Sequence, residues 1–492
     1  MWHFARARGY SARMLSDRVL SALRDITHRD RVLTAREDLL TYSADATPLL
    51  GHPPVAVVVP RDAEQVSRIV RLANEERFAV VPRGAGTGLS GGAVPTEDAV
   101  VLLLHGWNRI VEIDEANLTA WVEPGVVTAE LHRAVEERNL FYPPDPGSMR
   151  VCTIGGNVAE NAGGLRGLKY GVTKDYVLGL EVVLPTGEWV RFGGKAVKDV
   201  AGYNLKDLMV GSEGTLGIFT RVLVRLIPKP RAIRTLLATF DSMGDAGEAV
   251  AAIIAARIVP STLEFLDRTT IRAVESFAHL GLPQDLGALL LIEVDGHPSV
   301  VVEEAREVAD LCKARGARTV RQASNAAEAD DLRTARRAAF SALARIGPTT
   351  ILEDATVPRS AVPAMLARIH EIAERHDVTF GIFGHAGDGN LHPTCLTDAR
   401  DPAAIARAEA AFEEIFAAAI ALGGTITGEH GVGIAKRRFL PRQVGDPAVR
   451  FMREIKRVLD PNHVLNPGKI LEPKPRCEKP PLGHPRLAEA TA

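Results

Sequence analysis

Three glycine-rich turns, each set against strand-like sequence, restrict what this 492-residue chain can fold into. The first, PRGAGTGLSGGA from Pro82 to Ala93, holds five glycines in twelve residues and follows directly on the apolar run AVV. Such a loop can turn several backbone N–H groups inward with no side chains in the way, which makes a nest for an anion such as pyrophosphate. It matches neither G-x-x-x-x-G-K-[ST] nor a G-x-G-x-x-G that opens a helix, so P-loop and Rossmann folds are disfavoured. The second is PPDPGSMRVCTIGGNVAENAGGLRGLKYG, from Pro143 to Gly171, and the third is VGSEGTLGIFT, from Val210 to Thr220. One glycine cluster alone marks an ordinary turn more often than a site. Three together suit a long cofactor that needs main-chain contact along its whole length.

The sequence around these turns alternates between strand and helix patterns. VAVVVP (Val55 to Pro60) reads as a buried strand ended by proline, and the stretch from Arg61 to Phe78 places Val66, Ile69, Val70 and Leu72 at helical spacing. Strands are predicted at AVVLLL, RIVEID and TAWVEP, and a helix at VTAELHRAVEERN. Pro228 and Pro230 punctuate the end of this region. The alanine-rich stretch that follows mixes helices with the strand LLLIEVDG, an α+β pattern, and Gly316 caps the helix that begins at Ser299. Two amphipathic helices come next. One carries Phe412, Ile415, Phe416 and Ile420 on one face, and the other Val449, Met452, Ile455 and Leu459.

Apolar residues make up 46% of the chain and charged residues 24%, with a net charge of −2, the composition of a soluble globular protein. That balance gives no electrostatic reason for nucleic acid as a partner. Cys152, Cys312, Cys395 and Cys477 form no C-x-x-C pair, which excludes an iron–sulfur signature and suits a reducing compartment. No uninterrupted apolar window is long enough to span a bilayer. A cytoplasmic protein is expected, with peripheral association at a membrane and a homodimer both left open.

The stretch FGHAGDGNLHP, Phe383 to Pro393, sets His385 and His392 seven positions apart. Gly, Asp and Asn disfavour both strand and helix, which predicts a tight irregular turn from which both imidazoles project. TITGEHGVG adds Glu429 and His430, 37 positions beyond His392 to the glutamate. Two imidazoles and one carboxylate leave open positions on a divalent ion, and zinc, manganese and iron(II) all accept such ligands. His430 then stays free for acid–base work. A substrate carboxylate would suit an arginine, and LRTARRAAFSALARIG offers Arg333, Arg336, Arg337 and Arg345 on a predicted helix.

The runs PRGAGTGLSGG, PPDPGS…TIGGNVAENAGG, GSEGTLGI, GHAGDGNLH, GEHGVG and LNPGK occur in this order over roughly residues 54 to 470. Together they resemble the FAD-dependent 2-hydroxy-acid dehydrogenases of the vanillyl-alcohol-oxidase superfamily. That group includes the flavin subunit of glycolate oxidase and the D-lactate and D-2-hydroxyglutarate dehydrogenases. The resemblance implies an α+β chain: an N-terminal helical extension (1–50), a p-cresol-methylhydroxylase-type FAD-binding domain (51–230) and an α+β cap (231–425). A C-terminal helical return segment (426–472) and a loose tail (473–492) complete it.

It further implies that Pro82, Arg83, Gly84, Ala85, Gly86, Thr87, Gly88 and Leu89 hold the pyrophosphate region of FAD. Pro146, Gly147, Ser148, Thr153, Gly156, Asn157, Asn161 and Gly163 would line the adenosine and ribityl path. Glu213, Gly214 and Ile218 would close over the cofactor, and Asn466 would reach it from the C-terminus. No histidine lies between Pro82 and Ala93, so non-covalent FAD is expected. By the same resemblance His385, His392 and Glu429 hold the metal, His430 is the catalytic base and Arg336 grips the substrate carboxylate. The implied reaction is metal-assisted oxidation of a small D-2-hydroxy acid to the 2-oxo acid, with hydride to flavin N5. Leu352 stands where some 2-hydroxyglutarate-oxidising relatives carry lysine, which leans toward lactate- or glycolate-like substrates. Electrons would leave to a quinone, a cytochrome, a partner subunit or oxygen. Two rival readings are a non-catalytic FAD-binding subunit of an electron-transfer complex and a zinc hydrolase built on the His/His/Glu set.

Overall fold

The computed structural model describes residues 15–96, 99–279 and 281–471. The basic start of the N-terminal extension, Cys477 and the tail over 473–492 lie outside the described residues. The valine-rich runs flanking the first glycine loop form a four-stranded sheet, in the spatial order Val32–Leu33, Ala56–Val58, Ala99–Leu103, Ala79–Arg83. Its last three strands are parallel, and Val57, Val80, Val81 and Val101 are fully buried, as continuous apolar runs in a parallel sheet require. The helix Ala63–Glu76 starts at Asp62, whose carboxylate accepts the Gln65 N–H, and packs Val66, Ile69, Val70 and Ala73 on this sheet.

A second, wholly antiparallel sheet of five strands runs in the order Ile110–Asp114, Thr119–Val122, Ile218–Arg225, Val177–Val183, Trp189–Gly193. A third, eight-stranded sheet begins at Ala232–Phe240, and its path places Thr262–Asp267 beside Thr379–His385, which in turn pairs with Asn390–Thr397. Helices cover both faces. Leu236, Ala238, Phe240, Leu290 and Ile292 pack with helices Met243–Ala255, Pro298–Ala314, Val362–His376 and Pro402–Ala421. Leu237, Leu289 and Leu291 face the helices Arg268–Ala278 and Ala326–Arg337 instead. Burial on both faces is why LLLIEVDG opens on four consecutive apolar residues, Leu289 to Ile292.

One expectation needs correction. The arginine-bearing helix is not continuous: Ala338, at φ −78° and ψ −5°, flattens the turn between Ala326–Arg337 and Ala339–Leu343, and Arg345 lies beyond both. In the helix Asp446–Leu459, Val449 is buried while Met452, Ile455 and Leu459 are only half-buried. The buried anchor there is Lys456, which pairs with Asp460 and donates to the carbonyls of Thr215 (2.7 Å) and Leu465 (2.8 Å). That tether brings the LNPGK turn back to the first sheet, where the Asn466 N–H donates to the Val80 carbonyl at 2.9 Å. No helix among the described residues is long and apolar enough to cross a membrane.

Candidate active site

His385 and His392 stand on paired strands and not in an irregular turn. Thr379–His385 and Asn390–Thr397 form a hairpin in which Phe383 lies opposite His392 and His385 opposite Asn390. Residues directly opposite share a face, and so do residues two apart on one strand. The seven-residue spacing therefore sends Phe383, His385 and His392 to the same side. Gly387 and Gly389 lie in the connection, where Gly389 (φ +88°) leaves no space for a Cβ beside the Val357 carbonyl, while Gly384 is paired within the strand. The two imidazoles meet edge to face with centroids 5.0 Å apart.

Each ring turns Nε2 toward Glu429, whose Oε1 is 3.1 Å from His385 Nε2 and 3.3 Å from His392 Nε2. Behind them, Glu264 Oε1 lies 2.7 Å from His385 Nδ1 and Asp354 Oδ1 lies 3.0 Å from His392 Nδ1. A carboxylate behind each imidazole is the usual means of presenting the other nitrogen to an ion. Sequence reasoning missed both backing groups. Their only signal was a carboxylate set within or just after an apolar strand, in TLEFLD and ILED, and both are fully buried.

Asp354 also staples the loop that carries Glu429 and His430. Its Oδ2 accepts the N–H groups of Gly428 (3.1 Å), Glu429 (3.1 Å) and His430 (2.9 Å), and the Thr427 hydroxyl at 3.0 Å. Burial opposes its ionisation, yet His430, Lys436 and His392 hold it well below the usual carboxylate range. Ligand atoms of Asp354, His392, Glu429 and His430 all lie within 4.8 Å of one another, so a second donor set overlaps the expected one. Asp354 Oδ2 is taken up by the staple, while Oδ1 lies 3.0 Å from His392 Nδ1 and 3.3 Å from His430 Nδ1 without a hydrogen bond to either.

His430 stacks on His392 (5.1 Å, 14° between planes) with Nδ1 3.3 Å from Asp354 Oδ1. Among the described residues its Nε2 has no hydrogen-bond partner, and the ring lines the cavity described below. Burial pushes its imidazole down to about 4.

One cavity of about 440 Å³ connects these groups to the first glycine loop, a volume in the range of small-molecule and cofactor sites. Its wall includes every residue from Pro82 to Leu89, together with Pro146, Gly147, Ser148, Thr153, Gly156 and Asn157. Glu213, Gly214, Ile218, Asn466, Arg336, His385, His392, Glu429 and His430 complete the predicted set. Asn161 and Gly163 stand outside this wall. The Asn161 side chain accepts the Lys174 N–H at 2.9 Å, and Gly163 backs onto Glu429 Oε2.

Residues 84–89 meet the requirement of an anion nest. Among the described residues their six N–H groups donate to no protein acceptor. The cradle is also too narrow for side chains: a Cβ on Gly84 would overlap Thr153 Oγ1, the group that accepts the Gly156 N–H. Glu160 Oε2 and Asn466 Oδ1 are buried polar atoms on the same wall without hydrogen-bond partners. These orphaned groups fit a long polar cofactor. Replacing Gly84 with alanine is expected to weaken FAD binding by about tenfold or more, taking overpacking as roughly 1–3 kcal/mol. The ratio of flavin to protein absorbance after dialysis measures it.

The Pro143–Ser148 loop is held by His132, whose Nε2 lies 2.9 Å from the Pro144 carbonyl. Burial pushes this imidazole down to about 4, so it stays neutral and donates to that carbonyl. Unfolding releases it to ordinary solvation, where it takes up a proton near pH 6.5. The unfolded state thus binds more protons between pH 6.5 and 4, and stability falls as pH drops through that window. At pH 5 this group alone is expected to cost about 2 kcal/mol relative to pH 7. His132→Gln should lose that part of the slope in urea unfolding at the two pH values.

Of the four candidate arginines, only Arg336 and Arg337 reach the cavity. Arg333 pairs with Glu293 at 2.6 Å, and Arg345 lies over the Phe277 ring. Arg336 is buried, with Nη2 2.5 Å from Glu264 Oε2 and its guanidinium 4.8 Å from the Phe383 ring centroid. Arg337 turns to Asp145 at 2.9 Å, which ties this helix to the second glycine segment. Leu352 and Phe383 supply the apolar wall beside Arg336.

Comparison with known proteins agrees with this architecture. A family model of an FAD binding domain matches residues 54–193, and one of the C-terminal domain of FAD linked oxidases matches residues 229–470. The chain is 53% identical over 431 residues to glycolate oxidase subunit GlcD of Bacillus subtilis, covering 88% of this chain and 92% of that one. The chain belongs to the FAD-linked oxidases. It is an FAD-dependent oxidoreductase. The GlcD subunit of Escherichia coli K12 is 42% identical (93% and 92% covered), and a D-lactate dehydrogenase of Archaeoglobus fulgidus 37% (87% and 95%). Among solved structures, p-cresol methylhydroxylase with substrate bound superposes with a TM-score of 0.78 at 20% identity, covering 92% of this chain and 96% of that one. The 4-ethylphenol oxidase of Gulosibacter chungangensis gives 0.76 at 21% (93% and 97%). This FAD-linked oxidase therefore has the p-cresol-methylhydroxylase-type α+β fold expected from its motifs.

Proposed function

We propose that this FAD-linked oxidase oxidises a small D-2-hydroxy acid, lactate- or glycolate-like, to the corresponding 2-oxo acid. The observation that carries this reading is the sharing of one cavity by the glycine nest, the His385/His392/Glu429 cluster, His430 and Arg336. Residues 84–89 would hold the FAD pyrophosphate through their free N–H groups, and Asn466 and Glu213 would border the cofactor. Bound FAD supplies a two-electron acceptor. His385, His392 and Glu429 would hold a divalent ion (zinc, manganese or iron), which supplies Lewis acidity toward a substrate oxygen.

The chain's own residues divide the remaining work. Arg336 takes the substrate carboxylate, for which a planar guanidinium is suited. His430 accepts the hydroxyl proton at Nε2, the nitrogen that no described protein group occupies, while Asp354 holds its main-chain N–H and lies 3.3 Å from Nδ1. Leu352 and Phe383 offer no cation to a second carboxylate, and Arg337, the other guanidinium on the wall, is already paired with Asp145, which supports a monocarboxylate. The division at 51–230, 231–425 and 426–472 is supported by the separate sheets and by the Asn466 contact. Relatives named as subunits favour a partner subunit as electron acceptor over a free quinone or cytochrome.

A panel of D- and L-2-hydroxy acids mixed anaerobically with the purified, metal-analysed protein tests the reading. Glycolate and D-lactate are expected to bleach the flavin, with D-2-hydroxyglutarate and L-lactate at least about tenfold slower. No bleaching by any 2-hydroxy acid would defeat it.

A further inference from the structure

Glu264 is a charged residue where the fold gives every reason for an apolar one. It sits at the centre of Thr262–Asp267, a strand with neighbours on both sides, and is fully buried. Leu263 and Phe265 point into one helical layer, while Leu266 belongs to the other. Glu264 shares the Leu266 side, toward the helix that bears Arg336. A carboxylate so placed is tolerated only if its charge is paired and its oxygens are engaged. Its two oxygens are divided between two functional groups: Oε1 shares a hydrogen bond with His385 Nδ1 at 2.7 Å, and Oε2 forms an ion pair with Arg336 Nη2 at 2.5 Å. It does not itself line the cavity.

We infer that Glu264 is a positioning residue that locks the metal-holding pole of the site to its carboxylate-holding pole, so that both respond to one buried side chain. The inference rests on the function proposed above. Through Oε1 it fixes the His385 tautomer that presents Nε2 to an ion, and through Oε2 it fixes the Arg336 guanidinium against Phe383. Phe383 in turn touches the His392 ring (centroids 5.4 Å apart), which closes the circuit. One buried side chain thus sets the spacing between the two poles, and with it the separation of hydroxyl and carboxylate that a substrate must have.

A glutamine cannot do this work. An amide has one acceptor oxygen and one donor nitrogen, so it can serve His385 or Arg336 but not both. Glu264→Gln is compared with Arg336→Met and wild type, all loaded with FAD, by titration with Mn²⁺ alone and by D-lactate kinetics. The expected result is a Glu264→Gln protein with about 10- to 100-fold weaker Mn²⁺ binding and a raised KM for D-lactate. Arg336→Met should raise KM while its Mn²⁺ affinity stays within about threefold of wild type. The ratio of D-lactate to D-3-hydroxybutyrate turnover should also fall in Glu264→Gln, a readout that a general loss of stability does not move. Unchanged Mn²⁺ affinity in flavin-loaded Glu264→Gln would overturn the inference and leave the proposed function standing. Failure of wild type to bind Mn²⁺, zinc or iron(II) would overturn that function itself. Should Glu264→Gln not fold, Glu264→Asp, which keeps both acceptors on a shorter stem, decides by the same two measurements: intermediate losses support the coupling, and wild-type values refute it.

Discussion

Replacing His430 with alanine is expected to give a yellow, folded protein whose flavin is reduced by substrate about 10²- to 10⁴-fold more slowly than in wild type. The expectation rests on where the ring sits. Asp354 and the His392 stack fix it from one side, and its Nε2 faces the cavity without a protein partner. Its neighbours do not need it to stay in place, because Asp354 holds the loop through the main-chain N–H groups of residues 428–430. Flavin content should therefore survive the substitution while the proton acceptor is lost. Anaerobic rapid mixing followed at the flavin absorbance separates the two. A reduction rate within about tenfold of wild type would remove His430 from the role of base.

The second large effect is expected at Glu429. Its Oε1 is the point on which both His385 and His392 converge, and alanine would leave their Nε2 atoms facing each other with no anionic group between them. Loss of that ligand should weaken metal binding by at least about 100-fold, beyond what loss of a backing group costs. Turnover should fall with it. A matched control is chelation of wild type, which should abolish activity and be reversed by about one equivalent of metal per chain. Glu429→Ala should not be rescued at that stoichiometry. Metal analysis by mass spectrometry after gel filtration reads the difference directly.

The cofactor wall and the reactive groups were legible in the sequence because each rests on local signals. Glycines at 84, 86 and 88 announce exposed main chain, and imidazoles and carboxylates announce their own chemistry. The hairpin was not legible. Gly, Asp and Asn between Gly384 and Asn390 argue against a strand, and the pairing that overrides them comes from Phe265 and Leu266, more than a hundred positions earlier. Glu264 and Asp354 were missed for a related reason. A carboxylate beside apolar strand residues tells of a buried partner but not of which one, and their partners lie 121 and 38 positions away in His385 and His392. The helix Asp446–Leu459 was legible, but its anchor was not. Its apolar spacing is clear, yet the residue that holds it is Lys456, whose ammonium finds two carbonyls and Asp460 inside.

The central claim is that one pocket brings together the flavin, a chelated divalent ion and the His430 imidazole. Anomalous diffraction from crystals of the FAD-loaded protein grown with Mn²⁺ tests it most directly. The account predicts a single peak within about 2.0–2.3 Å of His385 Nε2, His392 Nε2 and a Glu429 oxygen, beside the flavin ring. A peak elsewhere, or flavin density that leaves this cavity empty, would contradict it.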